Sequence, residues 1–153
     1  ENFGNLGNFQ FQIFGEYKKF RNCNNFFYSF NNKIFFERFR KRHELLTLVD
    51  INSKKVVCYG WCSNDAVHTI DEVNKKIHLK KGNVLYDFFT LDEYRNKKLY
   101  KLLLYQISLN LEKPLYIYSL SKNKKSLKAI TKTGFLPIRN LNIFSNDFLQ
   151  KLH

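Results

Sequence analysis

Between residues 83 and 120 the apolar positions change their period twice. Residues 84–91, VLYDFFTL, are apolar at nearly every place, interrupted only by Asp87 and Thr90. A run that is apolar on both faces suits a strand covered on both sides, in the middle of a sheet. Residues 92–98 are polar, and then Leu99, Leu102, Leu103 and Ile107 recur at the spacing of one helical face. Glu112-Lys113-Pro114 breaks the chain before a second apolar run at residues 115–120, with Pro114 suited to a strand's first position. The stretch therefore predicts a βαβ unit, with the right-handed crossover such units adopt.

Elsewhere the pattern is less even. Residues 9–14 alternate apolar positions with glutamine, which predicts a half-exposed strand. The rest of residues 1–32 is rich in Asn and Phe, with Gly4, Gly7 and Gly15 as breakers. That part reads equally as loop or as helices masked by composition. Residues 33–43 place Phe35, Phe36 and Phe39 on one side and Arg38, Lys41 and Arg42 on the other, a short helix. Residues 45–49 and 56–61 are β-rich runs around a turn at 50–54, a hairpin. Gly60 inside that hairpin signals a bulge or the close approach of another group. Trp61 reads as core, with stacking on a substrate as the alternative. Residues 63–82 predict one or two short strands in a loop-prone connection that carries Asp65, His68, Asp71, Glu72 and His78. Asn123 starts another helix, with Leu127, Ile130 and Thr131 on its inner face and Gly134 as its C-cap. Residues 135–138 and 141–144 read as a closing hairpin around Arg139-Asn140, with Phe148 and Leu149 in a final turn. The expected fold is mixed α+β: one domain over residues 1–153, a central mixed sheet and helices on both faces.

Composition narrows the class. A chain that is 44% hydrophobic and 17% aromatic is expected to pack as a globular protein. No apolar run approaches the ~18–20 residues of a membrane span, and no signal-peptide pattern opens the chain. It begins at Glu1 rather than at a methionine, so a start other than the native one is expected. Cys23, Cys58 and Cys62 have no zinc-type spacing, and Cys58 and Cys62 share a strand face; all three read as reduced thiols of a cytoplasmic protein. The four histidines are scattered, so no metal site is expected.

Net charge is +13, and twelve of the lysines and arginines lie from Arg95 onward against two acids there, Glu112 and Asp147. Such a field attracts a polyanion, a nucleotide-linked small molecule or nucleic acid. For any single lysine, a solvated surface is the simpler account. The turn at 92–98 adds structure to the charge. It presents backbone N–H groups at a helix N-terminus, where an anion is favoured, beside Arg95, Lys97, Lys98 and Lys101. It reads as a phosphate cradle or as an ordinary basic loop. Asp87 stands out because a carboxylate in so apolar a strand is costly unless paired or functional. Strict alternation puts it with Leu85, Phe89 and Leu91, opposite Tyr86, Phe88 and Thr90. It is a candidate base or clamp, or the structural partner of a neighbouring loop.

The run FTLDEYRNKKLYKLLL resembles the central motif of the GNAT superfamily of acyl-CoA-dependent N-acyltransferases. In that family the turn reads Q/R-x-x-G-x-G/A before an amphipathic helix, and Arg95 takes the Q/R place. Downstream, NKKSLKAITKTGF is similar to the family's asparagine-led helix ending in Gly-Phe. The resemblance implies acyl transfer, acetyl-CoA being the donor, to a primary amine of a small molecule. The pantetheine arm would enter where the central strand and its parallel neighbour splay apart. Backbone groups of Phe88, Phe89 and Thr90 would hold it much as an added strand would. Amides of Asn96, Lys97, Lys98, Leu99, Tyr100 and Lys101, with Arg95, would bind the pyrophosphate, and Asn123 would add a further contact.

Two departures accompany the resemblance. Lys98 and Tyr100 occupy glycine positions, and Asn96 stands where another glycine is frequent; the larger side chains must point away from the phosphates. The tyrosine that many members place seven residues after the asparagine is Ile130 here, which cannot protonate a thiolate. Asp87 and Tyr118 are then the catalytic candidates, with Thr131 near the cleft and His68 and Glu72 as weaker bases. A thiolate of pKa ~8.5 also leaves without a protein acid. The wording YDFFTLDEYRNKKLYKLLL resembles members found with surface-polysaccharide genes, which modify nucleotide-linked amino sugars. The alternatives are a protein or RNA amine acetyltransferase, and a non-catalytic module binding coenzyme A or a nucleotide. Nucleic acid is not the expected partner, and oligomerisation stays open.

Overall fold

The structure is a computed structural model that describes residues 5–22, 32–142 and 147–152. Seven strands form one sheet: β1 (Phe9–Phe14), β2 (Glu44–Asp50), β3 (Val56–Ser63), β6 (Asn83–Thr90), β7 (Leu115–Ser119), β8 (Phe135–Asn142) and β9 (Asp147–Leu152). Their spatial order is β1-β2-β3-β6-β7-β9-β8, so the apolar run in β6 lies at the centre. All neighbours are antiparallel except β6 and β7, the parallel pair of the expected βαβ unit. A separate hairpin, β4 (Val67–Ile70) with β5 (Lys75–His78), fills the connection before β6.

Helices cover both faces. On one, α3 (Leu99–Asn110) and α4 (Lys124–Lys132) bring Leu99, Leu103, Leu104, Ile107 and Ile130 against Leu46, Leu48, Leu85 and Ile117. On the other, α1 (Tyr17–Asn22) and α2 (Asn32–Arg40) bring Phe20, Phe35 and Phe39 against Leu45, Tyr59, Trp61 and Tyr86. Each fully buried Leu or Phe side chain is worth about 1.5–3 kcal/mol, so two full layers fix the sheet firmly. The helix α1 belongs to the stretch whose periodicity was hidden by its Asn-Phe composition. Trp61 is fully buried, edge-on to Phe35 and Phe39 at 5.0 Å each, which makes it a core residue rather than a stacking platform for substrate. Cys58 and Cys62 are free and buried on one face, and burial pushes both thiols up to about 12. Cys23 and Phe144 lie outside the described residues.

The C-terminal hairpin corrects the sequence reading. Arg139 and Asn140 are not its turn; β8 runs through them to Asn142, and Phe148 and Leu149 belong to β9, which inserts between β7 and β8. Register shifts at Pro137/Arg139 and Asn140/Asn142 break the alternation, so a continuous strand reads as two short ones with a turn. Among the described residues no helix is long and apolar enough to cross a membrane.

Candidate active site

The site begins with a bulge in β6. Trp61 pairs with Tyr86 and Tyr59 with Phe89, so Asp87 and Phe88 together oppose Gly60. Asp87 takes the left-handed conformation, φ +51°, that admits the extra residue. Gly60 is required opposite it, because an added Cβ would collide with the Phe88 ring. The bulge reverses the alternation expected from the sequence. Phe88 and Thr90 now share Leu85's face: the Phe88 ring lies 5.1 Å from Tyr100, and Thr90 Oγ1 is 3.2 Å from Cys58 Sγ. Phe89 faces Tyr59 at 5.7 Å on the other side. Asp87 joins Tyr86 there, not Leu85, through an ion pair between its Oδ2 and Arg38 Nη1 at 2.5 Å.

Just before the bulge β6 parts from β7. Their last pair is Leu85 with Ile117, while β7 continues through Tyr118 and Ser119 paired with β9. A cavity of about 210 Å³ occupies the gap, lined by Asp87, Phe88, Tyr100, Tyr118, Asn123 and Ser126, among others. Asn123 also caps α4, its Oδ1 accepting from the Ser126 N–H at 3.1 Å. Tyr100 reaches inward, its hydroxyl 3.1 Å from Ser126 Oγ, so it points into the gap and away from any phosphate at the loop.

The loop before α3 turns left-handed twice, as glycine most readily does. Asn96 and Lys98 adopt φ +66° and +59°, and no side chain caps the helix. Leu99 is buried, so only its backbone is available to a ligand. Arg95, Asn96, Lys97 and Lys98 are exposed. Two of the expected cradle cations are turned aside: Arg95 Nη2 pairs with Asp92 Oδ1 at 2.8 Å, and Lys97 Nζ sits 4.6 Å over the Tyr94 ring.

A second cavity, about 280 Å³, adjoins the first and is lined by Arg38, His43, Asp65, His68, Asp71 and Tyr86, among others. The Arg38 guanidinium lies over the rings of Trp61 and Tyr86, at 5.2 and 5.1 Å. His43 Nδ1 is 2.6 Å from the Tyr86 hydroxyl, and its Nε2 is 2.8 Å from Asp65 Oδ2. His68 Nε2 lies 3.5 Å from the Tyr118 hydroxyl, and its ring is 4.7 Å from that of Tyr86. Burial, then the nearby His43, push His68 down to about 4 against the pull of Asp65 and Asp71. Burial raises Tyr86 and Tyr118 well above the ordinary phenol value. Both phenols therefore stay protonated.

The structure thus brings Asp87, Phe88, Tyr100, Tyr118 and Asn123 to one cavity, and leaves Arg95, Lys97 and Lys98 on the loop outside it. Glu72 lines the first cavity and His68 the second. Arg38, His43 and Tyr86 escaped the sequence reading. Each sits in a stretch where a charged helix face or a core position explains it fully, and only the fold joins them. Among the described residues no cluster of His, Cys, Asp and Glu could hold a metal ion.

No protein-family model and no curated protein sequence matches the chain. Solved structures do match. A Desulfovibrio desulfuricans protein assigned to the GNAT acetyltransferases aligns at TM-score 0.62 and 11% identity, over 95% of this chain and 98% of that one. The yncA protein of Salmonella typhimurium, with its cofactor acetyl-CoA, aligns at TM-score 0.62 and 10% identity, over 96% and 94%. The ribosomal-protein-S5-alanine acetyltransferase of Vibrio fischeri aligns at TM-score 0.60 and 13% identity, over 95% and 92%. The chain therefore has the GNAT acetyltransferase fold, a mixed sheet whose parallel centre splays open.

Proposed function

We propose that the chain transfers an acetyl group from acetyl-CoA to a primary amine of a small molecule. The parting of β6 from β7 beside an uncapped helix N-terminus carries this reading. Past Leu85, the β6 edge that faced β7 is left for an extended ligand, which the pantetheine arm supplies through the backbone of Phe88, Phe89 and Thr90. The pyrophosphate meets the backbone of residues 96–101, where φ > 0 at Asn96 and Lys98 turns the chain into the helix, with Arg95 at its flank. Asn123 and Tyr100 bound the arm from α4 and α3.

The second cavity takes the acceptor. Its size falls just below the ~300–1,000 Å³ of small-molecule sites, and its polar lining suits a hydroxyl-rich amine such as an amino sugar. Arg38 and Lys41 would meet the phosphates of a nucleotide carrier. Asp87, where the two cavities meet, draws the amine toward the thioester. Tyr118, held protonated, donates a hydrogen bond to the oxyanion or the sulfur, an effect of about 3 kcal/mol for a well-placed donor. Thermal-shift measurement with acetyl-CoA tests the donor site: ligand at ~100 times its Kd adds about 2.7 kcal/mol. Thiol release with amino sugars, polyamines and peptide amines then sorts the acceptors. No shift with acetyl-CoA overturns the reading.

A further inference from the structure

The geometry points to His68 and Tyr118 as a pair that carries the acceptor's proton to the departing thiolate. The inference rests on the acyl-transfer reading above and supplies the acid that Ile130 cannot be. Two side-chain contacts join the linings of the two cavities: Arg38 with Asp87, and His68 with Tyr118. Arginine keeps its proton throughout, so the first contact moves no proton. The second joins an imidazole to a phenol across the junction where amine and thioester would meet.

The groups around His68 hold it in the state the task needs. Its own strand, β4, sits over β6 and β7, with Tyr86 at 4.7 Å and Tyr118 at 5.9 Å between ring centres. His43 and Arg38 oppose a positive imidazole, whereas Asp65 and Asp71 favour one. Burial decides the balance against the imidazolium, so the ring is neutral and a proton it takes must pass on at once to the Tyr118 oxygen. At 3.5 Å the contact with Tyr118 is long, which leaves the hydroxyl able to turn toward a sulfur in the first cavity.

The step balances without an outside base. The amine nitrogen bonds to the thioester carbonyl carbon, and the C–S bond breaks with its electron pair on sulfur. The amine's proton passes to His68 Nε2, the Tyr118 hydroxyl proton passes to the thiolate, and His68 returns a proton to the Tyr118 oxygen. Amide and free thiol leave, and both side chains regain their starting states.

The test joins NMR of the unliganded chain to steady-state rates. Labelled-histidine spectra at pH 7 are expected to show His68 neutral with Nε2 unprotonated, and Tyr118→Phe to shift its resonances. With acetyl-CoA and the best amine of the panel, His68→Gln and Tyr118→Phe should each lower kcat by ~10²-fold or more. The double variant should lose no more than the worse single one, as expected of residues acting as a unit. Acetyl-CoA affinity should stay within about twofold in all three. An imidazolium, a proton on Nε2, or losses that multiply in the double variant would overturn the relay while acetyl-CoA binding stands. A wild-type chain that binds no acetyl-CoA overturns the acyl-transfer reading itself, and the relay with it. The charge and tautomer of His68 are read from wild-type protein alone, so a variant that fails to fold does not shelter the inference.

Discussion

At Asp87 the backbone turns left-handed inside a strand, a conformation that costs an ordinary residue about 1–2 kcal/mol. Strain of this kind persists where the surroundings over-determine it and gathers at functional sites. The side chain is half exposed, so the burial cost expected for a carboxylate in an apolar strand largely disappears, and its pair with Arg38 adds only about 0–1 kcal/mol of stability. Asparagine tolerates the same backbone. Asp87→Asn should therefore keep the melting temperature within a few degrees and acetyl-CoA affinity unchanged, while turnover falls by ~10-fold or more; a large loss of stability with normal turnover would reverse the assignment. The anomaly of Asp87 was legible from the sequence. Its face was not, because one inserted residue inverts a period-2 count. Arg38 was hidden for the opposite reason, since a charged helix position needs no explanation beyond solvent. His68 makes a second residue-level prediction. Its folded value, about 4, lies below the ordinary 6.5, so the unfolded chain binds the proton first as pH falls. The stabilising effect of keeping it neutral is complete above pH 6.5 and is lost progressively toward pH 4. The difference in melting temperature between wild type and His68→Gln should shift against the wild type across that window, and an offset independent of pH would contradict it.

Between elements, the decisive contacts are those that set the bulge and the gap beside it. Gly60 on β3 admits the Phe88 ring, which lies against Tyr100 of α3, and Tyr100 in turn reaches Ser126 of α4. Gly60→Ala should cost ~1–3 kcal/mol through overpacking, read as a lower denaturant midpoint, and Phe88→Ala in the same chain should recover part of it. Simple addition of the two losses would show that Phe88 is not what excludes a side chain there. The βαβ unit and the β2–β3 hairpin were legible because apolar spacing alone dictates them. Gly60 announced a close approach, but nothing local named Phe88, 28 positions on, as the approaching group. The C-terminal hairpin failed for the same reason as Asp87's face: irregular register erases periodicity.

Across the whole molecule, charge is unevenly placed. The cavity linings hold four acids, Asp65, Asp71, Glu72 and Asp87, against Arg38 and Lys41, whereas the chain from Arg95 onward carries twelve cations against two acids. On the proposed function, this arrangement would draw an anionic donor to the loop before α3 and an amine to the carboxylates beside it. Because Arg95 is paired with Asp92 and Lys97 lies on Tyr94, the backbone of residues 96–101 should supply most of the pyrophosphate's affinity, and the surrounding field its rate of arrival. Changing Lys97 and Lys98 together to glutamate alters that field by four charges without touching the amides. Affinity for coenzyme A, measured by calorimetry at low salt, should fall, and the gap between variant and wild type should close as ionic strength rises past ~0.15 M, where the Debye length is about 8 Å. Lys98→Gly, which suits the left-handed backbone and removes one charge, should by contrast retain most of the affinity. If the double reversal leaves affinity unchanged at every salt concentration, the phosphates do not lie at this loop. If Lys98→Gly costs as much as the reversal, the lysine side chain rather than the backbone holds them.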